Sequence, residues 1–196
     1  MDALTRLAIA ARNGDESALV RFVEGSYDQV WRLCARLVDA QCADDLAQDA
    51  FIHAVGSLPK FRGDASARTW LLAIARNTCM DELRARTRRR RRDASLVARA
   101  TVRSPHTDAD QEIAIADLLT CLDADRREAF VLTQLLGLSY EEAAEVCACP
   151  IGTIRSRVAR ARALLVDAIS DESSNPTRAP NDNEGRMYPV TKDITS

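Results

Sequence analysis

Apolar residues Leu19, Phe22, Val23, Val30, Trp31, Cys34, Leu37 and Val38 recur at helical spacing and predict a helix with one buried face. A shorter helix should precede it, broken at Asn13-Gly14-Asp15, with Asp15 free to cap its successor. Asp44 is expected to cap a third helix that carries Leu46, Ala47, Ala50, Phe51, Ala54, Val55 and Leu58 on one side, with Pro59 and Gly63 ending it in a loop. A fourth begins near Ser66, buries Trp70, Leu71, Ile74, Thr78 and Leu83, and should dissolve into Arg88-Arg89-Arg90-Arg91-Arg92, because a block of like charge repels itself. Further helices are expected over 112–122, 125–136, 140–147 and 153–169. Gly137 closes one of them, Ser139 caps the next with Glu142 three residues on, and Pro150-Ile151-Gly152 separates the last two. No alternation typical of strands and no internal repeat is present, so the fold class is all-α: two small helical domains joined by a flexible linker. The expected boundaries are 1–92 for the first domain, 93–110 for a linker containing Ser104-Pro105-His106, and 111–169 for the second domain. Residues 170–196 are polar, rich in Ser, Asn, Pro and Thr, and read as a disordered tail.

Composition supports helices over sheets: aromatics make up only 5% of the 196 residues, while Ala, Leu and Arg abound. No apolar run is long enough for a membrane span, and the start Met1-Asp2-Ala3-Leu4 lacks a basic leader, so the expected location is cytoplasmic. The six cysteines form no CxxC pair, and His53 and His106 lie far from any cysteine pair, which favours small buried hydrophobes in a reducing compartment. The alternative is a redox or zinc role for Cys147-Ala148-Cys149; neither a metal nor a cofactor is expected.

A net charge of -2 looks wrong for a nucleic-acid binder until it is divided along the chain. Residues 62–103 hold 12 basic and 4 acidic side chains, net +8, and residues 151–169 hold 4 and 1, net +3. Two separate basic stretches on a nearly neutral chain suggest two contacts with phosphate. Between them, residues 104–150 carry 2 basic and 10 acidic side chains, net -8. This leaves two readings: the second domain folds back on the first and shields it from DNA, or the acidic helices and the basic segment both stay solvated.

The pair of helices over 139–147 and from Thr153 onward has the dimensions of a helix-turn-helix. At 100° per residue Ile154, Val158, Ala161 and Leu165 share the buried face. Ser156, Ala159 and Arg160 point away from it, flanked by Arg155 and Arg162 on one side and Arg157 on the other, an arrangement suited to the major groove.

These residues carry a resemblance. Leu122-Asp123-Ala124-Asp125-Arg126-Arg127-Glu128-Ala129-Phe130, Gly137-Leu138-Ser139-Tyr140-Glu141-Glu142-Ala143-Ala144, and Gly152-Thr153-Ile154-Arg155-Ser156-Arg157 with Arg160-Ala161-Arg162 resemble region 4 of the sigma factor family, nearest its extracytoplasmic-function group. The resemblance implies reading of the minus 35 promoter element by Thr153, Arg155, Ser156, Arg157, Arg160 and Arg162. One position departs: the turn residue usually held by Gly is Ala148, where a left-handed backbone would cost about 1 kcal/mol.

In the first domain, Asp45-Leu46-Ala47-Gln48-Asp49-Ala50-Phe51 and Leu58-Pro59-Lys60-Phe61 resemble region 2.2 of the same family. That implies docking of Asp45, Gln48 and Asp49, the outward positions, on core RNA polymerase. Phe61-Arg62-Gly63-Asp64, Trp70-Leu71, Ile74-Ala75-Arg76-Asn77, Asp81 and Leu83-Arg84 resemble regions 2.3 and 2.4. They imply contact with the melted minus 10 element through Phe61, Arg62, Gly63, Asp64, Arg76, Asn77 and Arg84. Trp70, which shares a face with Ile74 and Leu71, is expected in the core rather than stacked on a base.

The implied function is that of an alternative sigma factor, not an enzyme, with core RNA polymerase, promoter DNA and an anti-sigma factor as partners. The competing reading is a stand-alone helix-turn-helix regulator of the response-regulator kind, which needs alternating strands and helices that the pattern lacks. An enzyme acting on nucleic acid would need metal-spaced His or carboxylates, a Gly-rich phosphate loop or a nucleophile–base pair, and none is evident.

Overall fold

The computed structural model describes residues 1–93, 115 and 118–173, and every element among them is helical. Helix α1 (Ala3–Arg12) starts at Asp2, whose carboxylate accepts the Thr5 N–H at 2.9 Å and the Thr5 hydroxyl at 2.6 Å. The same hydroxyl accepts the Ala67 N–H at 2.9 Å, and Arg12 donates to the Phe61 carbonyl at 2.8 Å. α1 thus fixes the N-terminus of α4 and the loop before it. The bond from the Thr5 hydroxyl, aided by backbone N–H groups of the first turn, outweighs burial and holds the Asp2 carboxyl below its ordinary pKa.

Helix α2 (Glu16–Leu37) begins as expected at Asp15, which accepts the Ala18 N–H at 2.9 Å and turns Phe22, Val30, Leu33, Cys34 and Leu37 inward. Helix α3 spans Ala43–Ser57 and is followed by a 3-10 turn, Leu58–Lys60. Its N-cap is Cys42, with no side-chain cap bond, not Asp44. Asp44 lies inside the first turn and accepts the Tyr27 hydroxyl at 2.9 Å, so a tertiary partner has taken the carboxylate that would otherwise cap. Val55, expected inward, is 42% exposed.

Helix α4 runs without interruption from Ala67 to Asp93. It does not dissolve at the arginine block. Arg86 pairs with Asp39 and with Glu82 (2.7 Å) and contacts the Cys42 sulfur at 3.2 Å, while Arg89 also reaches Glu82 at 2.7 Å. These carboxylates neutralise part of the repulsion on one side of the helix. Leu71 and Thr78 are buried, but Trp70, Ile74 and Leu83 are only half-buried. Trp70 rests against Phe61 with centroids 4.8 Å apart.

The second set comprises α5 (Ala124–Phe130), a π-helical turn (Val131–Leu135), α6 (Tyr140–Cys147) and α7 (Ile151–Ser173). The expected helix over 125–136 is therefore split, capped by Asp123 and widened after Phe130. α7 starts at Ile151 rather than Thr153. The expected capping box is present: Glu142 N–H donates to Ser139 Oγ at 3.1 Å, and Ser139 N–H donates to Glu142 Oε2 at 2.8 Å. Of the helix expected over 112–122, residues 115 and 118–120 are helical, 121 and 122 form a turn and a bend, and the rest lies outside the described residues, as do residues 94–110 of the expected linker and the tail from 174.

Buried residues of both helix sets join one apolar cluster, with α6 packed on α4 and the π turn against α2. Three cysteines (Cys34, Cys79, Cys147) are buried in it, Cys34 and Cys79 with sulfurs 3.5 Å apart. The bond to Cys34 and burial push the Cys79 thiol up, and burial does the same to Cys147, so both stay protonated. No group of three or more His, Cys, Asp or Glu suited to a metal occurs among the described residues, and no helix there is long and apolar enough to cross a membrane.

Candidate nucleic-acid interface

The second helix of the helix-turn-helix owes its orientation to Ile154, Val158, Ala161 and Leu165, all buried as the wheel requires. That leaves Arg155, Ser156, Arg160 and Arg162 exposed and Thr153 half-buried at the start of the helix. Arg157 is turned aside to Asp125 of α5, and Arg162 donates to Gln134 at 2.7 Å. The turn ahead of α7 bends through Ala148 at φ 50° and ψ 45°, the left-handed conformation anticipated at this position. Its N–H bonds back to the Glu145 carbonyl at 3.1 Å, and Cys149 N–H reaches the Ala144 carbonyl at 3.0 Å, which closes α6 and aims α7 away from it.

On the first domain, α3 turns Leu46, Ala47, Ala50 and Phe51 into the core and exposes Asp45, Gln48 and Asp49 together. Sequence reasoning missed what lies beside them. Val23, Tyr27, Asp44, Gln48, Phe51, Ile52 and Val55 line a shallow groove between α2 and α3. Ile52 is 59% exposed, and Tyr27 stacks on Phe51 at 6.0 Å to form the floor. The signal was available: Ile52 falls off the core face of the α3 wheel.

The minus 10 candidates are not one continuous surface. Arg62 is exposed in the loop, with Gly63 beside it at φ 82°, a conformation that favours glycine. Phe61 is 5% exposed and cannot meet a base; its ring packs on Trp70 and supports the loop from below. Asn77 and Arg84 are exposed on the outer face of α4, Arg84 with Asp81 at 2.9 Å.

Arg76 lies elsewhere. Its guanidinium makes two bonds to Glu128 of α5, one of them at 3.3 Å, and Glu128 is 1% exposed. Hydrogen bonding to Glu128 outweighs burial and raises the Arg76 pKa. Arg68, near the start of α4, donates to the Leu136 carbonyl and to Gln29 at 2.7 Å. Two arginines of the first domain are thus held by the second, Arg76 by a carboxylate and Arg68 by a backbone carbonyl.

The chain matches Sigma-70 region 2 over residues 22–89 and Sigma-70 region 4 over residues 112–165. It is 45% identical over 174 residues to the ECF RNA polymerase sigma factor SigC of Mycobacterium tuberculosis, covering 87% of this chain and 94% of that protein. Among solved structures it resembles CnrH in complex with the cytosolic domain of CnrY, with a TM-score of 0.69 at 27% identity over 87% of this chain and 99% of that one. It also resembles the sigma factor RpoE in complex with the anti-sigma factor NepR from Bartonella quintana, with a TM-score of 0.67 at 29% identity over 77% and 96%. A stand-alone helix-turn-helix regulator would leave the region 2 match without a role. Sigma factors are transcription initiation factors and not enzymes, and the sequence, the fold and both regional matches agree: the chain belongs to the extracytoplasmic-function group of RNA polymerase sigma factors.

Proposed function

We propose that this chain binds core RNA polymerase through Asp45, Gln48 and Asp49 with the apolar groove beside them, and directs it to promoters in the cytoplasm. The groove supplies desolvation and the acidic and amide side chains supply orientation, so a basic helical surface of the polymerase is the complementary partner. Arg62, Gly63, Asp64, Asn77 and Arg84 then meet the minus 10 element, joined by Arg76 once it leaves Glu128, while Phe61 positions the loop. Arg155, Ser156 and Arg160 read base edges of the minus 35 element, and Thr153, Arg157 and Arg162 serve its phosphates. The likeness to RpoE extends the reading to an anti-sigma factor as a further partner.

The observation that carries this reading is the outward patch of α3, since a DNA reader without a polymerase partner has no use for an exposed acidic and apolar surface. Asp45→Lys with Asp49→Lys should abolish co-purification with core polymerase and run-off transcription while helical content by circular dichroism is unchanged. Retained co-purification would refute the assignment of this surface.

A further inference from the structure

The polar stretch beyond α7 contains one run that the proposed function does not use. Residues 170–196 carry 5 acidic and 3 basic side chains, net -2. Their longest run free of polar side chains is Met187-Tyr188-Pro189-Val190, flanked by Arg186 and Lys192 with no acidic residue between those two. The segment 186–192 is therefore net +2 inside a stretch of opposite sign. Pro189 fixes its own φ and biases Tyr188 toward extended backbone, so this run gives up little conformational freedom when it is bound extended.

The groove between α2 and α3 has the complementary character. Its α2 wall continues past Val23 and Tyr27 to Val20, which is 55% exposed. These three side chains fall within about 60° of one another at 100° per residue and make one apolar strip. On α3, Ile52 and Val55 face outward, and Asp45 lies within about 20° of Ile52 on the same wheel. Asp44 lines the groove and Asp49 is exposed beside it, so an apolar strip runs along a carboxylate rim. An apolar run with a cation at each end matches that surface in both respects.

Reach permits the match within one chain. The 14 peptide steps from Ser173, the end of α7, to Met187 span up to roughly 45–50 Å. A domain of 100 residues has a radius of gyration of only about 13 Å. The nearer exposed apolar residues Leu164 and Val166 of α7 lie about 160° apart, on opposite sides of the helix, and offer no groove.

We propose that the segment Arg186 to Lys192 docks in the α2–α3 groove of its own chain, its apolar side chains on the strip and its two cations toward the carboxylates of α3. The segment thereby competes with core polymerase for that surface, a consequence that rests on the polymerase-binding reading above, whereas the docking itself does not. A tether of this length gives an effective concentration near about 1 mM, so a segment of only millimolar affinity fills the groove half of the time. Polymerase then meets only the open fraction of the chains, and its apparent affinity falls in proportion.

The test uses the full chain with the photocrosslinking residue p-benzoylphenylalanine in place of Tyr188, and maps the products by mass spectrometry. Irradiation should join position 188 to α2 or α3 at Val23, Tyr27 or Ile52 of the same chain. Ile52→Ser, at an exposed position, should largely remove that product while helical content by circular dichroism is unchanged. Excess core polymerase should suppress it as well. Without the crosslinker, Arg186→Glu with Lys192→Glu should raise the affinity for core polymerase by about two- to tenfold. Products confined to α7, or covalent dimers whose yield grows with protein concentration, overturn the proposal, the second in favour of a second copy of the chain. An unchanged polymerase affinity in the charge-reversed variant overturns the competition. A groove product that survives excess polymerase supports the docking and refutes instead the assignment of this surface to polymerase.

Discussion

Helices α4 and α7 both present arginines, but the two helices secure them differently. On α7, Arg157 and Arg162 are held by Asp125 and Gln134 of their own domain, and Arg155 and Arg160 stay in solvent. On α4, Arg68 and Arg76 are held by Leu136 and Glu128 of the other domain. In the proposed reading the minus 35 surface is thus complete whatever the two domains do relative to each other, whereas the minus 10 surface is complete only when they part. Exposure by itself does not make the difference; what matters is whether the partner belongs to the same folding unit.

The largest expected effect tests the α4 side. Arg76→Ala leaves the Glu128 carboxylate buried without its counter-charge, which should weaken the closed arrangement by about 3–5 kcal/mol. Small-angle scattering should then report a larger radius of gyration for the free chain, and an unchanged radius would break the comparison. On α7 the corresponding change is Arg160→Ala, expected to cost about 1–3 kcal/mol at one base step of the minus 35 element, while Arg162→Ala weakens all sequences alike. Neither should alter the radius of gyration.

Glu128→Gln is gentler than Arg76→Ala because it keeps a hydrogen-bonding side chain and leaves Arg76 intact. The free chain should gain roughly tenfold in affinity for a single-stranded oligonucleotide by electrophoretic mobility shift, the equivalent of about 1.4 kcal/mol. No gain would mean that Glu128 does not restrain the minus 10 surface. The smallest effect is expected for Asp125→Ala, which removes an intradomain ion pair whose carboxylate is 64% exposed. It should cost less than about 1 kcal/mol, seen as a melting shift of under about 4 °C.

Much of the second domain was legible because its signals are local. The Ser139–Glu142 capping box, the left-handed Ala148 and the buried face of α7 each depend on residues a few positions apart. The errors arise where a distant residue decides. Asp44 lost its capping role to Tyr27, 17 positions away, and Phe61 was drawn into the core by Trp70 and the α1 clamp. The persistence of α4 through Asp93 depends on Asp39 taking up Arg86, 47 positions away. Charge division left a meeting of the acidic domain with the basic one as one of two readings, and no periodicity could select Glu128 as the residue that holds Arg76. The groove beside Asp45 was missed for a simpler reason: Val55 was placed on the core face, and Ile52 was left unassigned although the wheel puts it outside.

The separation of 52 residues between Arg76 and Glu128 also sets a schedule. Everything that α4 needs to fold, including the Thr5 hydroxyl at its start and Asp39 beside Arg86, has been synthesised by residue 93. The residues that cover it, from Glu128 to the end of α6 at Cys147, follow up to 54 positions later. At about 5–20 residues per second that interval is roughly 3 to 10 s, during which the nascent first domain stands uncovered on a ribosome built largely of RNA. Ribosome pausing within codons 94–147 would prolong that interval and favour premature capture of the basic helix, so translation speed in this stretch bears on the yield of closed, soluble protein.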